Sequence, residues 1–224
     1  MTTSANPAKP TRKPRGAYAK TAEKRAAILD AALEVFAESG FRSGSLREVS
    51  QRVGMSEAGL LHHFRSKTAL LEAVLEHRDE KARGLVPVDS PDGMEVLRSL
   101  VDLAAHNASI PGVVELYTTL SAEATSPDHP AHAYFARRYD FTREKVERAF
   151  LALLADGRLR PGIDPRRAAI AVIALMDGLQ VQWLLDRDVV DMSDELRQVF
   201  SLFVDGDWDA AASDPSQPAA RAGD

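Results

Sequence analysis

Two segments too short to hold a helix alone in water stand either side of four residues in "LREVSQRVGMSEAGLLHHF", residues 46–64. Each is preceded by a serine, Ser45 and Ser56, whose hydroxyl can accept a first-turn backbone N–H and cap the segment. The intervening residues include Gly54, which takes a left-handed backbone without a Cβ penalty. Two short helices joined by such a turn have helix-turn-helix geometry, and they persist only if something covers their apolar sides. Val49, Val53, Met55, Leu60 and Phe64 form those sides, and Ser50 is small where the two helices cross. The segment 21–39 supplies the cover, because Ile28, Leu29, Ala32, Leu33 and Phe36 recur at helical spacing before Gly40 as a C-terminal cap. Glu57, Ala58, Leu61 and His62 are left facing outward, and the small Ala58 and Gly59 let another surface come close.

Helical periodicity continues through the rest of the chain. Ser66 caps a longer helix with a buried stripe of Leu70, Leu71, Val74 and Leu75, and the Pro- and Gly-bearing stretch 84–93 reads as a linker. Further helices are expected at about 94–108, 112–124, 130–155, 165–186 and 193–204. No stretch alternates as a strand does. The expectation is an all-α chain of about nine helices: a flexible basic arm over 1–20, a three-helix domain over 21–67, a larger helical body over 68–204, and a disordered tail over 205–224.

Charge separates these parts. Residues 1–67 hold twelve Lys and Arg against six Asp and Glu, and the remainder sixteen against twenty-seven, within a formal net charge of −5. A basic end on an acidic body points to an anionic partner for the N-terminal part, nucleic acid first. The absence of cysteine excludes disulfides and thiolate zinc sites. No signal-peptide core stands near the start, and the charge-free apolar run 168–176 stops at Asp177, short of the roughly 20 residues that span a bilayer. A cytoplasmic protein with no membrane partner is expected.

The stretch "LREVSQRVGMSEAGLLHHFRSKTALLEAV", preceded by "ILDAALEVFAESGF", resembles the TetR family of transcriptional regulators over about residues 25–75. Leu61 stands where the family has a tyrosine that commonly touches a phosphate; Ser50 replaces an alanine and Met55 a valine. The resemblance implies a homodimer on a near-palindromic double-stranded DNA operator, one recognition helix in each major groove, released by a small molecule. The DNA contacts also follow from chemistry. Ser45 and the amide end of its helix can hold a phosphate, as can the helix that opens at Lys67. Arg47 can reach backbone or a base edge. Ser56 caps the helix that presents Ala58, Gly59, Leu61 and His62 to the groove, and Arg12, Lys13 and Arg15 of the arm can track the phosphates.

In the body, "DPRRAAIAVIALMDGLQVQWLLD" is apolar nearly all round. With segment 193–204 it is expected to build a four-helix bundle across a two-fold axis, with Leu175, Leu179, Val181, Leu184, Leu185, Val199, Phe200 and Phe203 as the dimer interface and core. Polar groups within that setting suggest an effector pocket of Tyr117, Ser121, Tyr134, Phe135, Tyr139, Met176, Asp177, Gln180 and Trp183. Other readings are weaker. His62 and His63 are adjacent and diverge on a helix, so they do not chelate. His129 and His132 with Asp128 stand one turn apart but read as exposed. Glu115, His106 and Asp177 could serve acid–base chemistry, yet no Gly-rich phosphate loop, GxSxG or HExxH accompanies them. No metal, cofactor or enzymatic activity is expected; the rival is a helical protein-interaction scaffold.

Overall fold

Three serine hydroxyls open three successive helices. In the computed structural model, which describes residues 15–206 with side chains from residue 21, Ser45 accepts from Glu48 N, Ser56 from Gly59 N and Ser66 from Ala69 N, at 3.0–3.1 Å. These start α2 (Leu46–Arg52), α3 (Glu57–His63) and α4 (Lys67–Arg83). Ahead of them α1 spans Arg15–Ser43 and turns at Gly40, where φ 73° and ψ 161° suit glycine alone. It begins six residues before the expected start at 21, inside the supposed arm, because no proline follows Pro14 there and Arg15, Ala17, Ala19 and Lys20 are good helix formers. Arg12 and Lys13 lie outside the described residues, as does most of the expected tail, although Asp205 is held by Arg158 O and Arg160.

The body comprises α5 (Gly93–Ala108), α6 (Pro111–Glu123), α7 (His132–Ala155), α8 (Pro165–Leu185) and α9 (Met192–Phe203). Together these make nine helices among the described residues, and the pairing of Leu159 with Val204 is an isolated bridge. Asp92, Asp164 and Asp191 cap α5, α8 and α9. The last therefore starts one residue ahead of the expected 193, and α7 starts two residues after the expected 130.

Two buried clusters fill the molecule. One gathers Ile28, Val35 and Phe36 of α1 with Val49, Leu60 and Phe64, then continues through Leu71 and Leu75 of α4 into Leu116, Tyr117 and Leu120 of α6 and Tyr134 and Phe135 of α7. The apolar stripe of α4 thus belongs to both ends of the chain. The other cluster packs α5, α7, α8 and α9 around Met94, Leu97, Phe150, Val172, Leu196 and Phe200. Here the expected interface-and-core set divides. Leu179 (7 % exposed) and Phe200 (0 %) are already covered by their own chain, because α9 lies across α5 and turns that side of α8 inward. Leu175, Leu184 and Phe203 are half-buried against the same cluster, and Val199 is half-buried too. Val181 and Leu185 remain exposed, joined by Ile170, Val189 and Leu202. By length and apolar composition α8 would suffice to cross a bilayer, which counting only the uninterrupted run overlooks; here Ala168, Ala169, Val172, Leu179 and Trp183 pack it into the core.

Candidate nucleic-acid interface and effector chamber

The turn between α2 and α3 forms as its residue types dictate. Gly54 takes φ 64°, and Met55 N donates back to Ser50 O at 2.9 Å. Val49 and Leu60 are fully buried, which fixes both helices to α1. Arg52 adds a clamp, reaching Glu34 and Glu38 of α1 and Glu48 of its own helix. The outward face of α3 then consists of Glu57, Ala58, Leu61 and His62, all exposed. Gly59 turns the other way: a Cβ there would lie 3.3 Å from Ser56 Oγ and 3.7 Å from Met55 Cε. Its small size therefore also spares the cap.

Arg47 is exposed and makes no ion pair among the described residues, and the same holds for Arg65, which follows α3. Arg65 is an addition to the expected contact set; its signal was a free cation one residue before the Ser66 cap. Lys67 is more engaged than expected. Its Nζ donates to Arg42 O at 3.0 Å and lies 4.8 Å from the Phe41 ring centre, and burial lowers its pKa. It ties α4 to the end of α1. The His62 and His63 rings stand 6.1 Å apart at 73°, so they diverge as adjacent helical residues must. His129 contacts Glu123, and His132 Nδ1 lies 2.8 Å from Ala124 O.

In the body, polar side chains from five helices converge. Tyr117 OH donates to Leu75 O at 2.9 Å and lies 3.1 Å from Tyr134 OH, which donates to Asp79 Oδ2 at 2.5 Å. Arg138 Nε reaches Asp79 Oδ1 at 3.2 Å, and Arg78 donates to Asn107 Oδ1 at 3.2 Å while its guanidinium stacks 4.5 Å from the Tyr117 ring centre. Tyr139 OH donates to Asp177 Oδ2 at 2.7 Å. Arg78, Asn107 and Arg138 border a cavity of about 30 Å³ that touches six of the nine expected pocket residues: Tyr117, Ser121, Phe135, Tyr139, Asp177 and Gln180. Tyr134 lines a neighbouring cleft instead. Met176 borders a gap of about 10 Å³ against α5 and α9, and Trp183 is buried in the body core.

Arg78, Asp79, Asn107 and Arg138 were not anticipated. The signal was present in spacing, since Arg78 and Asp79 follow the buried Leu75 by three and four positions and Arg138 follows Tyr134 by four, so each lies on an inward face.

Burial raises the pKa of Asp177, and the Tyr139 hydrogen bond and Arg138 offset this only in part; Tyr139 is pushed up to about 12 by burial and then by its Asp177 contact. A carboxyl whose folded pKa is raised contributes stability below its ordinary value and loses it as pH climbs through the folded value. Asp177→Asn keeps an acceptor for Tyr139 and removes that penalty. The variant should melt above the parent at neutral pH and match it below pH 3.8; a difference independent of pH in thermal melts would contradict this account.

A capped, outward-facing second helix on a three-helix end, joined through α4 to a helical body with a polar chamber, defines a helix-turn-helix transcriptional regulator. Residues 28–74 match the family model for bacterial regulatory proteins of the tetR family, and residues 94–208 match that for the BetI-type transcriptional repressor C-terminal region. An HTH-type transcriptional repressor of Mycobacterium tuberculosis is 32 % identical over 173 residues, 70 % of this chain and 92 % of that protein. Among solved structures, a TetR-family regulator from Rhodococcus sp. superposes with TM-score 0.70 at 23 % identity, covering 82 % of this chain and all of that one. A transcriptional regulator from Saccharomonospora viridis, solved in complex with choline, gives 0.69 at 21 % identity over 83 % of this chain and all of its own. The chain belongs to the TetR family of transcriptional regulators, which are DNA-binding proteins and not enzymes.

Proposed function

We propose that the chain is a cytoplasmic repressor that binds a near-palindromic operator as a homodimer, with α3 of each protomer in a major groove, and that a small molecule bound in the helical body releases it. The observation that carries this reading is the double attachment of α4. His77 Nε2 and Lys81 Nζ both reach Asp30 Oδ1 of α1, at 2.9 and 2.6 Å, while the adjacent Arg78 and Asp79 face the chamber network. A ligand that displaces Arg78 or Asp79 moves α4, and α1 and the recognition helix move with it. Recognition helices in a dimer must meet half-sites about 34 Å apart, so a small change in their separation costs affinity. The coupling this family of arrangements needs is about 1–3 kcal/mol. Repressor relatives, and a fold neighbour solved with choline, agree with a regulator of this kind.

The test is a mobility shift with DNA flanking the protein's own gene at two salt concentrations. A sequence-selective shift that weakens as salt rises is expected; without selectivity or without salt dependence the reading fails. Arg47→Ala should weaken binding to all sequences alike and lower the salt slope by about 1, whereas His62→Ala should alter preference at one base position. The opposite pattern would exchange the roles given to these two residues.

A further inference from the structure

Beside the chamber lies a cleft of about 280 Å³ between the end of α4, the loop that follows it, α5 and α7. This is close to the lower end of the roughly 300–1,000 Å³ typical of small-molecule sites. Arg78 and Arg138 line both spaces and form the wall between them. One side of the cleft is apolar, made by Val86, Val88, Leu100, Leu103 and Phe141. Its charge is one-sided: four guanidiniums, Arg78, Arg83, Arg137 and Arg138, face two carboxylates, Glu76 and Asp79. Asp79 serves the two inner arginines, at 3.6 Å from Arg78 and 3.2 Å from Arg138. The two outer arginines have no carboxylate within ion-pair distance among the described residues. Arg83 instead rests 5.7 Å from the Phe141 ring centre.

We propose that this cleft binds an amphipathic carboxylate, its head between Arg83 and Arg137 and its apolar chain along Val86, Leu103 and Phe141. Planar guanidiniums match a carboxylate with paired N–H donors, so an anion supplies the partner that the outer arginines lack. An amphipathic cation of the same size would meet the same apolar wall but face uncompensated like charge. The ligand class rests on the reading of the body as an effector domain and gives that effector a chemistry. The shared arginine wall gives the occupant a route to the chamber network.

The experiment titrates the full-length protein with decanoate and, separately, with decyltrimethylammonium, which carries an alkyl chain one carbon longer and the opposite charge, and follows binding by calorimetry. Decanoate should bind at one per chain and at least tenfold more tightly than the ammonium. The double variant Arg83→Ala/Arg137→Ala, whose side chains make no ion pair or hydrogen bond among the described residues, should melt like the parent and lose tenfold or more in decanoate affinity. Equal binding of the two amphiphiles, undiminished decanoate binding by the variant, or no decanoate binding overturns the proposal. Operator binding measured without any amphiphile reads the regulator function separately. A protein that shifts its operator but ignores decanoate loses only the ligand class.

Discussion

Gly93→Ala should cost about 3 kcal/mol of folding stability, the upper end of what overpacking usually costs. Gly93 is the first residue of α5, and a Cβ there would stand 2.3 Å from Ala149 O and 2.7 Å from Leu153 Cγ of α7. The nearer obstacle is backbone within a long helix, so no rotamer change relieves it and α5 must withdraw from α7. Met94 and Leu97, both fully buried, would be drawn out with it. Gly112 gives the contrast. Its added Cβ would lie 3.3 Å from both Ala37 Cβ and Ala37 O, a crowding that a few tenths of an ångström relieve, so Gly112→Ala should cost well under half as much. Denaturant midpoints at unchanged slope would measure both. Equal effects for the two, or a Gly93→Ala midpoint within error of the parent, would mean that α5 and α7 are not as tightly joined as their backbones indicate. A domain with about 5–15 kcal/mol to lose survives the substitution at room temperature but should melt many degrees lower.

The N-terminal part was legible because its signals are local. Ser45, Ser56 and Gly54 each answer a need of the backbone within four residues of themselves, and Val49 and Leu60 repeat at a spacing that only a helix buries on one side. Gly59 gained a second role for a related reason: glycine on a short helix gives no side-chain direction, and only the packed structure shows that a side chain there would crowd its own cap. The body was harder to read. Arg78, Asp79 and Arg138 are charged, and charge on an amphipathic helix ordinarily marks the solvent side. Their inward position is possible because Asp79 pairs with both arginines and with Tyr134, a compensation between α4 and α7 that lies more than fifty residues apart in sequence. For α8 the difficulty was the reverse. A helix apolar all round announces that every side is covered, but not which side its own chain covers. Leu179 and Phe200 proved to be core, while Val181 and Leu185 did not.

That division leads to the second large effect. Replacing Val181 and Leu185 together by glutamate should leave the protomer folded, convert the proposed dimer to a monomer, and lower operator affinity by about 10²–10⁴. Val181 is 45 % and Leu185 82 % exposed. They stand on one side of α8 with Ile170 and Ala174, at intervals of four, seven and four residues, and Leu202 of α9 is 66 % exposed. Gly178, between Ala174 and Val181, has nothing within 4 Å of where a Cβ would stand, so a second helix can approach the backbone there. Only 28 % of the most apolar stretch of α8 is buried within the chain, an exposure that a second copy would remove. Burying a leucine or valine stabilises by roughly 1.5–3 kcal/mol, and the two-fold axis doubles each contribution, so four glutamates in their place cannot be accommodated. The loss on DNA then follows from geometry. One protomer reaches one half-site, and the second half-site no longer benefits from the high effective concentration that pairing provides. Sedimentation mass and a mobility shift on the same preparation decide the matter. A variant that still sediments as a dimer places the two-fold elsewhere. A monomer that retains parental operator affinity would show that α3 binds DNA one copy at a time.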